Sequence, residues 1–194
     1  MTTAAAATDN NNADLKALAQ EIGDLIRNNQ VDKAVQKFQA ASNDKQYVIL
    51  MDRDAGVLHE AARFGHAGAI TTMLSELSAE RRLAAITVPD MYGHTPLYVA
   101  ALYGHVDTIT ALLAGLNTAQ CTNALFNEQH GAAIKLAKEY ADDPENTEEA
   151  LNALIEGIAA LKLSENDKKG LITGILQEVG KINRHAEIPS AAVP

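Results

Sequence analysis

The sequence predicts an all-α chain: a solenoid of helical repeats with a helical cap at each end. Three observations carry this. The apolar fraction is 47% while aromatics are only 4% and Trp is absent, so Ala, Leu, Ile and Val dominate and favour helices in close approach. The nine residues Leu58–His66 recur at Leu97–His105, with six positions identical or aromatic for aromatic. No run alternates long enough to build a sheet, since Val48-Ile49-Leu50-Met51 is the only strand-like stretch.

Taken in order, residues 1–12 are Ala, Thr and Asn and read as a disordered tail. Asp14 is a candidate cap for a first helix whose apolar face is Leu15, Leu18, Ala19, Ile22, Leu25 and Ile26. Asn28-Asn29 ends it, and Val31, Ala34, Val35 and Phe38 mark a second helix. Apolar anchors then stand at Ile22, Leu58, Leu97 and Ile134, spaced by 36, 39 and 37 residues. A cap residue follows each of the first three anchors by 20 residues: Ser42, Ser78 and Asn117. These open short helices over 43–50, 79–86 and 118–126, so each unit is a helix pair plus a short third helix.

The units fall at about 14–50, 51–88, 89–126 and 127–180, within one domain over 13–182, and 183–194 reads as a flexible tail. The fourth unit departs from the pattern. Pro144 breaks it, a helix over 147–161 reads as an insertion, and Ser164 caps a closing helix over 165–180 that Gly180 ends. Leu171 stands 37 residues after Ile134 and is the alternative start of a fifth repeat.

The central unit has the fullest grammar. Asp90-Met91-Tyr92-Gly93 is turn chemistry, Thr95 is an N-cap, Pro96 suits the first helical position, and Gly104 stops the helix. Thr95-Pro96-Leu97 and the Gly-His stop resemble the ankyrin repeat, whose usual period is about 33 residues. The resemblance covers about 54–114 firmly and extends over 14–180. It implies stacked helix pairs with projecting loops, and a concave first-helix face that binds another protein. The family's variable binding positions map onto Met91, Tyr92 and His94 in the central loop and Leu102 and Tyr103 on its first helix. In the preceding unit they map onto Asp52, Arg53, Ala55, Arg63 and Phe64, and in the next onto Glu128, Gln129, Lys138 and Glu139 or Tyr140. Phe64, Tyr103 and Tyr140 then form an expected aromatic row, a hot-spot candidate. The alternative is that these rings pack between helices. The resemblance thins elsewhere: Gly56-Val57 replaces Thr-Pro, and Asp54 stands where the central loop has Gly93, so the hairpin geometry is expected only in the central unit.

Chemistry by other routes is poorly supported. A formal charge of −9 argues against a nucleic-acid partner and an anionic membrane surface, and points to a protein partner with some basic surface. One cysteine, Cys121, excludes an internal disulfide. His59-Glu60-Ala61-Ala62-Arg63 begins like a zinc-protease helix, but Arg63 stands where the second His is needed. No phosphate loop, dinucleotide fingerprint or nucleophile elbow is present. The N-terminus has no basic and apolar leader pattern. The expectation is therefore a monomeric, cofactor-free, metal-free and non-catalytic interaction module. Its expected location is the cytoplasm, or a host cell reached without a Sec signal, with an inhibitor, adaptor or effector role. Its candidate binding residues are Arg53, Arg63, Phe64, Met91, Tyr92, His94, Leu102, Tyr103, Lys138 and Tyr140. The competing reading is an enzyme with a site near the atypical 127–180 region.

Overall fold

A computed structural model describes residues 3–140 and 144–186, with side chains described over 12–139 and 147–181. Its helices in chain order are α1 Thr3–Arg27, α2 Val31–Gln39, α3 Asn43–Met51, α4 Val57–Arg63, α5 Ala67–Leu74, α6 Ala79–Ile86, α7 Pro96–Leu102, α8 Val106–Leu113, α9 Thr118–Phe126, α10 Ala132–Tyr140, α11 Pro144–Ala159 and α12 Glu165–Ala186. The described residues contain no strand.

Three rows of helices stack side by side. First helices run α1–α4–α7–α10, second helices α2–α5–α8–α11, and short third helices α3–α6–α9. Each helix has too little surface to form a core alone and buries its face against its neighbours. The first-helix row packs through small residues: Ala61 and Ala62, Ala100 and Ala101, and Ala133 and Ala137 are fully buried.

The local chemistry follows the expected grammar at most joints. Thr95 Oγ1 accepts the Tyr98 N–H with Pro96 at the first position of α7. Ser78 caps α6, and Asn117 with Gln120 forms a capping box on α9. Ser42 occupies the cap position of α3, but its side chain accepts no backbone N–H. Gly65 and Gly104 end α4 and α7 at φ +72° and +69°, and Asn29 takes the same left-handed conformation after α1, at φ 57°.

Four expectations change. Helix α1 starts at Thr3, so Asp14 lies inside it rather than capping it; Ala4–Ala7 are strong helix formers. Helix α12 runs through Gly180 to Ala186, because a single glycine not held in a left-handed turn lowers helix stability without ending the helix. Residues 1–2 and 187–194 of the two expected tails lie outside the described residues. The third change concerns the fourth unit. Helix α11 packs against α8 and is that unit's second helix, not an insertion. Helix α12 lies against α10 and α11, so Leu171 belongs to a closing helix. The fourth is the register. Ala133, Leu136 and Ala137 are buried as Leu97, Ala100 and Ala101 are, whereas Ile134 is partly exposed. The fourth anchor is therefore Ala133, one residue earlier than periodicity alone suggested.

Gly157 shows how closely α11 and α8 meet. A Cβ there would fall within 2.8 Å of Ile109 Cβ. Gly157→Ala is expected to destabilise the fold by about 1–3 kcal/mol through overpacking. Gly170, inside α12 with open space around it, is expected to gain up to about 1 kcal/mol on replacement by Ala. Thermal melts of the two variants check both signs.

Candidate partner-binding surface

Loops precede α4, α7 and α10, and each is organised by one side chain. Asp52 Oδ1 accepts the N–H groups of Asp54 and Ala55 at 3.0 and 2.9 Å. Asp90 Oδ1 accepts those of Tyr92 and His94, both at 2.8 Å. Asn127 Oδ1 accepts those of Gln129 and His130 at 3.0 and 3.3 Å. Short polar side chains stabilise such turns by bonding to backbone two or more residues on. Turn geometry thus persists at all three joints, although Thr-Pro occurs only at the central one. The repeated Asp, Asp and Asn was the signal in the sequence that could have shown this.

The loops are tied across units as well. Arg53 Nε and Nη2 donate to the carbonyls of Pro89 and Asp90 at 2.7 and 2.9 Å. His59 Nε2 lies 3.0 Å from the His94 carbonyl, and Lys135 Nζ donates to the Tyr92 carbonyl at 3.1 Å. His94 stacks on Tyr98 with ring centroids 4.5 Å apart. Tyr98 in turn donates its hydroxyl to Glu139; burial and that carboxylate hold its phenol well above the ordinary range. His94 and Arg53 therefore serve largely to fix the loops. Met91 and Tyr92, 83% and 71% exposed, are the parts the loop presents. Between them and α4 runs an open groove of about 550 Å³, lined by residues that include Arg53, Gly56, His59, Glu60, Met91 and Tyr92.

At the other end of α4 and α7, Phe64, Leu102 and Tyr103 are each between 42% and 48% exposed. Arg63 lies beside both rings, its guanidinium carbon 5.8 Å from the Phe64 centroid and 5.6 Å from the Tyr103 centroid. Such contacts order an arginine without neutralising it. His105 Nε2 lies 3.0 Å from the Arg63 carbonyl and its ring stacks beside Tyr103. The large exposed hydrophobics among the described residues are Val48, Phe64, Met91, Tyr92, Leu102, Tyr103 and Leu176, so five of them belong to this surface.

The fourth unit contributes less than the mapped positions imply. With the anchor at Ala133, Glu139 rather than Tyr140 is the counterpart of Phe64 and Tyr103, and it is occupied by Tyr98. The Tyr140 side chain lies outside the described residues. Lys138 is exposed but lines a separate groove, together with Glu128 and Glu178. Among the described residues the row of rings therefore consists of Phe64 and Tyr103.

Cys121 is fully buried, and burial pushes its thiol up to about 11, so it is a packing residue rather than a poised nucleophile. Among the described residues no three His, Cys, Asp or Glu side chains group as metal ligands, and no helix is long and apolar enough to cross a membrane.

The architecture defines a helical-repeat solenoid, the class of protein that presents a surface rather than enclosing a pocket. Residues 3–124 match the family model described as ankyrin repeats (3 copies), and the chain belongs to the ankyrin-repeat family. Ankyrin repeats mark it as a protein–protein interaction module. No curated protein and no solved structure matches the chain.

Two measurements probe this part of the molecule. Burial holds His59, His66 and His94 below the ordinary histidine value, with smaller contributions to His66 from His105 and to His94 from Lys135. The unfolded chain therefore binds protons first as pH falls, and stability declines from about pH 6.5 downward. The melting temperature is expected to be highest above about pH 7 and to drop by about pH 5.5, with His59→Gln reducing the slope. Cys121 is expected to resist a thiol reagent in the native protein and to react fully in denaturant, which absorbance readout distinguishes.

Proposed function

We propose that this chain is a non-catalytic binding module that engages one protein partner through the Met91–Tyr92 loop and the first-helix ends at Phe64, Leu102 and Tyr103. The observation that carries the reading is the concentration of exposed apolar side chains there, within a family that binds proteins. Large rings held at a surface and ringed by polar groups are the usual form of a binding hot spot. An inhibitor or adaptor role in the cytosol, of its own cell or of a host, fits a chain whose one cysteine is a buried thiol. The working unit in this reading is the monomer, since second and third helices complete the stack within one chain.

Affinity capture with the intact chain as bait supplies the partner. Replacing Phe64 and Tyr103 by Ala is expected to lower affinity for it by about thirtyfold or more, with helix content unchanged and melting within a few degrees. A fall in binding that merely tracks a loss of folded protein would assign both rings to packing instead.

A further inference from the structure

The ends of the second helices are closed differently from one joint to the next. Between units two and three Arg82 spans the joint. Its Nη2 donates to the Leu74 carbonyl at the end of α5 at 3.0 Å, and its Nη1 donates to the Ala114 carbonyl just after α8. Cys121 stands in that place in the next unit, 39 positions on, as Asn117 follows Ser78. A thiol is too short to span two helix ends, and Cys121 is instead fully buried. A groove of about 560 Å³ runs between the ends of α8 and α11 and the turns that follow them. Leu113, Leu116 and Leu161, all nearly buried, and the partly exposed Leu163 give it apolar walls. Its shape is set in advance. The Leu116 N–H donates to the Leu113 carbonyl at 3.2 Å and the Leu161 N–H to that of Ile158 at 3.1 Å, while Asn117 is held in its capping box. Apolar clefts of this volume with few polar groups are the usual form of a small-molecule site.

Lys162 is the one charged residue that lines this groove. It is exposed, and among the described residues no carboxylate pairs with it. The carboxylates nearest to it along the chain are Glu156, Glu165 and Asp167. Glu165 pairs with Lys168, Asp167 accepts the Ser164 hydroxyl, and none of the three lines the groove. We infer that the groove binds a small organic acid, its apolar body seated among the four leucines and its carboxylate at the rim on Lys162. Gly157 lets α11 lie directly against α8, and helices packed in this way are about 8–10 Å apart axis to axis. That spacing admits an alkyl chain or a single ring between the helix ends, and not a partner helix, which is itself about 10 Å across. The site is separate from the Phe64 and Tyr103 surface, which lies at the ends of first helices.

Octanoate titrated into the isotope-labelled full-length chain and followed by NMR tests this. Saturable shifts are expected at Leu113, Leu116, Leu161 and Leu163, and hexanoate should bind about tenfold more weakly for its two fewer methylenes. Lys162→Glu should weaken octanoate about fivefold and leave octan-1-ol, which has the chain without the charge, unchanged. Ala160→Trp, at an exposed position on the rim, should fill the groove and lower affinity about tenfold or more while melting as the parent does. The Phe64→Ala, Tyr103→Ala variant should bind octanoate as the parent does. Absence of saturable shifts by about 10 mM octanoate, or shifts confined to other residues, overturns the site. If octanoate binds there but Lys162→Glu leaves its affinity unchanged, or weakens octan-1-ol equally, the assignment to an acid is wrong. Should Ala160→Trp fail to fold, the map of shifts decides the location.

Discussion

The close approach of first helices through buried alanines is the constraint on which the rest of the molecule depends. Ala61, Ala62, Ala100, Ala101 and Ala137 have no exposed surface, so each first helix lies flat against the next with little between them. Helices of seven residues are far too short to persist alone. Stability therefore comes from neighbours, and every unit is held in register by the unit on either side. That register is what places Phe64 beside Tyr103 and sets Arg63 against both rings. A surface made of side chains 39 positions apart exists only because the stack repeats.

Loops and helix ends use the same economy. One oxygen of Asp52, Asp90 or Asn127 organises each loop, and side chains from both adjacent units hold the central one in place. Arg53 binds the loop that follows it, and Lys135 reaches back to the same loop from the other side. The central loop is thus clamped from both flanks, which lets Met91 and Tyr92 stand out in solvent without needing to pack. Rigid presentation of this kind lowers the ordering cost of binding.

Much of this was legible in the sequence. The Leu58–His66 and Leu97–His105 copies share apolar spacing, a helix stop and an aromatic residue, and each feature has a local physical cause. Caps at Ser78 and Asn117 and the Pro96 start are likewise local, and they stand as expected. The fourth anchor was misplaced because Ile134 is larger and more apolar than Ala133. Periodicity favours the bigger residue, whereas close helix packing favours the smaller. That single residue makes Glu139 the counterpart of Phe64 and Tyr103. The reading of 147–161 as an insertion failed for a similar reason: a long helix after a proline break looks like a departure until its contact with α8 is known.

By itself the sequence determined the helical class, the repeat, and the stops at Gly65 and Gly104. These are consequences of backbone preference and spacing within a few turns of chain. Only the tertiary structure decided which residues act together. Arg53 bonds to the next loop, His94 stacks on Tyr98, and Lys138 lines another groove. Spacing along a chain says which face of its own helix a residue occupies. It does not say what the next unit will place against it, and in a stacked repeat that neighbour decides whether a side chain is bonded, buried or left for a partner.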